Sequence, residues 1–244
     1  MSDSGSADPA DGRASADRWF VVRDRAAYLP EADTLVLADL HLGRSRTSNV
    51  ELPLPEREAI ERRLGDLLAA VDPGTVVFAG DVCHAFGTLP DGVAESFAAV
   101  RDRVGAAGAD LVVVRGNHDA TLDSLADPVS EHRLGDGTLV CHGHEEPASG
   151  ADRYVIGHDH PAIEIEGQRH PCFLWGEGAH RGRDVLVVPA FTELAAGVPV
   201  NGLSGRDAQS PLLDEPGAFR PIVREEDGGE TFVFPALSEF RDLL

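Results

Sequence analysis

A chain of 244 residues is long enough to bury one substantial core, and a hydrophobic content of 42% fits a globular protein. Forty-two acidic residues stand against 21 basic ones, every one of them arginine, and the net charge of −21 argues against tight polyanion binding through the general surface. No apolar run approaches the roughly 20 residues needed to cross a bilayer, no basic-then-apolar leader opens the chain, and Cys83, Cys141 and Cys172 suggest no disulfide framework, so the expected location is a reducing cytoplasm.

Residues 1–17 are Ser, Asp, Ala, Gly and Pro with almost nothing apolar, which predicts a disordered acidic tail ahead of one domain over 18–244. Trp19–Arg23 is the first predicted strand. Thr34–Ala38 is the second, and it runs into Asp39-Leu40-His41. In extended chain, residues i and i+2 face the same way, so Asp39 and His41 can point at one ion. The polar stretch that follows carries Arg44 and Arg46, candidates for phosphate contact through bidentate hydrogen bonds. Pro55 then opens a helix to Val71, with Glu56 and Glu58 at its positive end and Ile60, Leu64, Leu67, Leu68 and Val71 as the buried stripe. Thr75–Ala79 is the next strand, and it ends at Gly80-Asp81. A strand–helix–strand unit predicts a parallel pair with a right-handed crossover. Asp81 suits a position bridging two ions. His84 lines the same loop, either to meet a substrate or only to bond the loop.

Gly92–Gly108 reads as a second helix, with Val93, Phe97, Val100 and Val104 on one face. The strand Leu111–Val114 then leads to Gly116-Asn117-His118-Asp119, where Gly116 permits a sharp turn. Ala120–Leu125 predicts a short helix. Arg133-Leu134 and Thr138–Cys141 predict a hairpin whose second strand ends at His142-Gly143-His144. Tyr154–Ile156 leads to Gly157-His158-Asp159-His160-Pro161. Ala162–Glu166 and His170–Trp175 predict another hairpin, Val185–Val188 a further strand, 202–217 a loop, and Pro221–Arg224 with Thr231–Phe234 a pair of edge strands. His132, His170 and His180 fall outside these motifs and read as surface or loop residues.

Metal-binding side chains therefore follow strand after strand, at the carboxyl ends where open α/β sheets place their chemistry. Asp39, His41, Asp81, Asn117, His142, His158 and His160 form a mixed nitrogen and oxygen set without thiolate. Seven side chains are too many for one ion. They suit two divalent ions about 3.5–4 Å apart with a shared carboxylate. The donor types favour Mn²⁺ first, with Fe, Zn²⁺, Co²⁺ or Ni²⁺ as alternatives, over Ca²⁺ or Mg²⁺. His118, beside Asn117 and followed by Asp119, fits a general acid held by a carboxylate.

These five stretches, in this order from Asp39 to Pro161, resemble the calcineurin-like metallophosphoesterase superfamily. Asp39-Leu40-His41-Leu42-Gly43, Gly80-Asp81 with His84, and the run from Pro189-Ala190-Phe191 through Gly197 to Asn201 are similar to its archaeal group related to the recombination-repair nuclease subunit. The resemblance implies an α/β fold, a single-domain four-layer α/β/β/α sandwich. It implies one ion on Asp39, His41, Asp81 and His160, and a second on Asp81, Asn117, His142 and His158. It also implies that His118 protonates the leaving oxygen with Asp119 behind it, and that His144 is not a ligand. The activity implied is metal-dependent phosphoester hydrolysis by metal-bridged hydroxide, as a phosphodiesterase and, through the subgroup, a repair-related nuclease with nucleic acid as substrate. A nucleotide or small-molecule phosphodiesterase or phosphomonoesterase is the alternative enzyme. A non-catalytic scaffold is the alternative of another class, but scaffold members lack the histidine after the asparagine, and His118 is present here. Finally, a charge of −21 repels itself in dilute buffer and is screened in molar salt, where the Debye length is about 3 Å. The composition therefore predicts a protein adapted to a salty cytosol, as in halophilic archaea, with an acidic mesophile encoded by a GC-rich genome as the alternative.

Overall fold

The computed structural model describes residues 18–44, 56–85, 87–225 and 229–240. The predicted tail over 1–17, Arg46 and Pro55 lie outside these residues. Strand β1 (Val21–Arg23) turns back into β2 (Ala26–Leu29), which turns into β3 (Thr34–Leu37). Helix α1 (Glu56–Val71) carries the chain to β4 (Thr75–Ala79), and α2 (Val93–Ala106) carries it to β5 (Asp110–Val114). The five strands form one sheet in chain order, antiparallel up to β3 and parallel from β3 to β5.

The second half follows as β6 (Glu131–Arg133), β7 (Leu139–Cys141), β8 (Arg153–Ile156), β9 (Pro161–Ile165), β10 (Gln168–Pro171), β11 (Phe173–His180), β12 (Arg183–Val187), β13 (Val198–Pro199), β14 (Arg220–Arg224) and β15 (Thr231–Val233). Seven of these strands form a sheet in the order β15-β14-β11-β12-β8-β7-β6, in which β7, β8 and β12 are parallel. A small sheet, β10-β9-β13, stands beside it. Among the described residues no helix is long and apolar enough to cross a membrane.

Alternation along the apolar runs explains the layers. Leu35, Leu37, Val76 and Phe78 face outward against Ile60, Leu64, Phe97 and Val100 of the two helices. Their neighbours Val36, Ala38, Val77 and Ala79 face inward and pack on Val140, Val155, Leu186 and Val188 of the larger sheet. Both faces are therefore buried, which is why these strands are continuously apolar. Each fully buried side chain of this size contributes about 1.5–3 kcal/mol. The outer face of the larger sheet, with Leu139, Tyr154, Ile156 and Val187, is covered by Leu203, Leu212, Leu213, Phe219 and Leu237. This fourth layer is thin: loop, a 3-10 turn at Pro216–Ala218 and the short helix α3 (Leu237–Phe240).

Three expectations are corrected. The hairpin of β9 and β10 forms as read, but its second arm, read up to Trp175, is two strands in two sheets. β10 ends at Pro171, and β11 starts at Phe173 between β12 and β14. Buried Cys172 is the crossing point, and an unbroken apolar pattern does not reveal a change of sheet. The helix read over Ala120–Leu125 contracts to a 3-10 turn at Leu122–Ser124. His180, read as a surface residue, is 3% exposed. Its Nδ1 lies 3.3 Å from Asp214 and its Nε2 3.9 Å from Glu146. The three cysteines are free and buried, as small hydrophobes.

Candidate metal centre

β3, β4 and β5 of one sheet and β7 and β8 of the other each deliver their motif at the carboxyl end, and the motifs meet there. The loops are tied to one another by backbone bonds. Asp39 N–H donates to the Gly80 carbonyl (3.0 Å), His41 N–H to Asp81 (2.9 Å) and Gly157 N–H to His142 (3.0 Å). The run from Pro189 docks beside them, with Phe191 N–H donating to the Ala38 carbonyl at 2.9 Å. Asp39, His41, Asp81, His158 and His160 all have left-handed backbone, with φ of 57°, 48°, 49°, 70° and 45°. Such a conformation costs on the order of 1–3 kcal/mol at a non-glycine residue and persists only where its surroundings over-determine it.

Asp39, His41, Asp81 and His160 each offer one atom to a cluster in which all lie within 4.8 Å of one another. Nε2 of His160 is 3.1 Å from Oδ1 of Asp39 and 3.2 Å from Nε2 of His41. On the other side, Nε2 of His142 is 3.4 Å from Oδ1 of Asp81 and 3.1 Å from Oδ1 of Asn117. The His158 ring lies 5.0 Å from the His142 ring. The structure thus brings together all seven residues read as ligands.

The surroundings aim these atoms. Nδ1–H of His142 donates to the Ala79 carbonyl at 2.9 Å, which turns Nε2 toward Asp81. Oδ2 of Asp39 accepts the His158 N–H (3.1 Å), and Oδ1 of Asp81 accepts the His118 N–H (2.9 Å). Oδ1 of Asp39 is buried without an aligned hydrogen bond, although His160 Nε2 is close to it. Acceptor atoms converging on one point, one of them a buried carboxylate oxygen lacking a hydrogen bond, fit a cation.

Charge behaviour agrees. Burial works against ionisation of Asp39, but His160, His142 and His41 outweigh it and hold its pKa down. Asp81 is likewise lowered, chiefly through its bond to His142, against the effect of burial. Burial would depress His142, yet the bond to Asp81 and the charges of Asp39 and Asp81 raise it to about 9. His160 is raised by Asp39, also against burial. His41 is pushed down by burial to about 3, and His158 by burial and His142 to about 4. The two carboxylates thus draw positive charge into a buried place, and a divalent ion would bring the same charge on displacing protons.

Around the cluster, His118 presents a ring with its side chain 29% exposed and Nε2 3.9 Å from Oδ2 of Asp81. His84 stacks on it, with ring centroids 5.7 Å apart and planes at 29°, and its Nδ1 is 3.3 Å from Nδ1 of His41. The charge of Arg44 helps to lower both His41 and His84, so Arg44 also lies on this flank. Arg115 forms an ion pair with Asp123, and Arg181 pairs with Glu146 at 2.6 Å.

Asp119 is not where the sequence put it. Its carboxylate accepts the backbone N–H groups of Cys83 (2.9 Å), Gly116 (2.9 Å) and Val82 (3.3 Å). It braces the Asp81 loop against the His118 loop, a positioning role that acts through backbone. Asp119→Ala leaves three buried donors without a partner and is expected to lower stability by about 3 kcal/mol or more. Thermal unfolding checks this, and an unchanged midpoint would refute the brace. Gly116 also has a different role from the one expected. A Cβ there would strike the Asp81 carboxylate, so the glycine makes room for a ligand. Gly157 does the same on the other loop, where a Cβ would come within 2.8 Å of Oδ2 of Asp39. Sequence reasoning did not find the Ala79 carbonyl that sets the His142 tautomer. A main-chain acceptor has no sequence signal.

A family model described as calcineurin-like phosphoesterase matches residues 33–188. A solved structure of the nuclease MPE of Pseudomonas putida is 25% identical, covers 82% of this chain and 88% of its own, and superposes with a TM-score of 0.59. A solved phosphoesterase of E. coli, Yfce, is 18% identical, with 84% of this chain and 93% of that one covered and a TM-score of 0.39. No curated protein matches the chain significantly.

Proposed function

Because the chain belongs to the calcineurin-like phosphoesterase family, as a metal-dependent phosphoesterase, we propose that it is a two-metal phosphodiesterase that cleaves nucleic acid. The observation that carries the site is the cluster of Asp39, His41, Asp81 and His160, with His142 against the other oxygen of Asp81 and Asn117 against His142. Asp39, His41, Asp81 and His160 hold one ion in this reading, and Asp81, Asn117, His142 and His158 the other. Mn²⁺ is the proposed metal, on the mixed imidazole, amide and carboxylate donors. Divalent ions bound there would lower the pKa of water and offset the charge that gathers on the phosphoryl oxygens.

The chain's own residues supply the rest. His118 gives a proton to the departing oxygen from a ring that is open on one edge. Its loop is held by the bond from its own N–H to Asp81 and by the Asp119 brace. Likeness to a nuclease over 88% of that protein supports nucleic acid as the substrate. Membership of the archaeal repair-nuclease group is part of the same proposal. It rests on His84 after Gly80-Asp81 and on the run from Pro189 to Asn201. The net charge of −21 favours a second reading, a small nucleotide ester as substrate. The same charge, carried without lysine, supports a salt-adapted, cytoplasmic protein.

One experiment separates these readings. The Mn²⁺-loaded chain is assayed in molar KCl on single- and double-stranded DNA, a cyclic nucleotide and bis-p-nitrophenyl phosphate, with circular dichroism recorded in and out of salt. DNA cleavage is the expected result. Cleavage of the small esters alone selects the second reading. Two ions bound with no turnover on any substrate refutes both and leaves the scaffold. A far-UV spectrum indifferent to salt removes the halophilic proposal.

A further inference from the structure

We propose that His144 is a second substrate-contacting imidazole, placed on the flank opposite His118, where its Nδ1–H meets a phosphoryl oxygen that does not leave. This rests on the phosphodiesterase reading above and names the group that would orient its substrate.

The outer histidines are arranged on two flanks. His84 and His118 stand 5.2 and 5.6 Å from the His41 ring. His144 stands alone at the other end, 5.3 Å from His142 and 6.0 Å from His158. Its side chain is 28% exposed, matching the 29% of His118, so each ring is part open and part buried. Nδ1 of His144 is buried and has no hydrogen-bond partner among the described residues. Its Nε2 lies 4.0 Å from Glu145, an exposed surface carboxylate. A buried ring nitrogen without a protein partner is an unmet hydrogen-bonding group, and in the Nδ1–H tautomer it is a donor that needs an acceptor. A phosphate oxygen held by the neighbouring ligands supplies one.

The chain is shaped to put the ring there. Gly143, with φ of 101°, reverses the backbone directly after His142, and a Cβ at that position would press on Ile156 at 3.0 Å. Only glycine lets the chain turn back so tightly over strand β8. His142 then reaches the cluster and His144, two residues on, overhangs it. His144 is not among the seven residues read as ligands, and in this reading it has no part in holding the ions. Because His118 serves the leaving oxygen, a donor on the opposite flank serves the oxygens that remain on phosphorus.

The test uses the full chain loaded with Mn²⁺ in molar KCl, with inorganic phosphate as the binding probe and bis-p-nitrophenyl phosphate as the substrate. His144→Ala is expected to leave Mn²⁺ uptake unchanged, to weaken phosphate binding about tenfold or more, and to lower kcat/KM by a similar factor. His144→Asn, whose amide N–H falls near Nδ1, is expected to recover part of both. His144→Gln, which reaches the Nε2 position, is expected to recover neither. Unchanged phosphate affinity in His144→Ala overturns the proposal, as does loss of Mn²⁺ uptake with it or rescue by Gln in place of Asn. If the unaltered chain binds Mn²⁺ and phosphate but hydrolyses no ester, the phosphodiesterase reading fails while the phosphate titration still decides His144.

Discussion

In His118→Ala, hydrolysis of a diester with an alkyl leaving group, such as a thymidine dinucleotide, is expected to fall by roughly 10²–10⁴-fold. Hydrolysis of bis-p-nitrophenyl phosphate is expected to fall far less. The difference comes from the leaving group. An alkoxide is a strong base and needs a proton as the P–O bond breaks. p-Nitrophenolate is stable near neutral pH and departs unaided. Metal uptake is expected to be kept, because what His118 gives Asp81 is a backbone N–H bond, which alanine also provides. Parallel kcat measurements on the two esters check this. Equal losses on both would remove the acid role, and loss of bound metal would recast His118 as part of the ion site.

Gly116→Ala is the second large effect expected, and it works by a different route. The added methyl would strike both the carboxylate and the backbone nitrogen of Asp81, so the Asp81 loop as well as its side chain has to shift. Overpacking of this kind costs about 1–3 kcal/mol, which a domain of this size survives. The carboxylate must nevertheless move, and a displacement near 1 Å costs on the order of 10²-fold in rate. Because Asp81 lies between both halves of the cluster, the expected phenotype is a folded protein that takes up little Mn²⁺ and has less than about a hundredth of the activity. Circular dichroism with a Mn²⁺ titration reads this directly. A variant that binds Mn²⁺ normally would show that Asp81 is not the shared ligand. A variant that unfolds would show that the glycine serves the core instead.

Much of the architecture was legible because local and global signals agree. Strands β3, β4 and β5 are bounded by polar motifs, and helices α1 and α2 carry apolar stripes between them. A parallel sheet under two helices follows from that pattern. Hairpin β1–β2 was half legible, since Ala26-Ala27-Tyr28-Leu29 lacks the β-branched residues that mark strands. The crossing at Cys172 was not legible, because apolar alternation shows which face is buried and not which sheet is joined. All seven ligand-type residues converge because each sits within four residues of a strand's carboxyl end. Asp119 was misread because its neighbour in sequence, His118, is not its partner in space. Its carboxylate is taken up by main-chain donors from a loop some 35 residues earlier. The left-handed backbone at Asp39, His41, Asp81, His158 and His160 has no signature in side-chain chemistry, as aspartate and histidine only tolerate it.

The ligand atoms come from two sheets. Asp39, His41, Asp81 and Asn117 hang from the five-stranded sheet, and His142, His158 and His160 from the seven-stranded one. Neither sheet alone carries the donor set, so the centre exists only after the halves have docked across the Val36–Val155 layer. This works as a safety catch. A nascent chain emerging with its first sheet complete presents four of the seven ligand-type residues and neither full set. A chain that later loosens along that seam loses its metals as it opens. For a metal-dependent phosphoesterase, the unfinished and the damaged forms would therefore be inert, and hydrolysis would be confined to molecules that have assembled correctly.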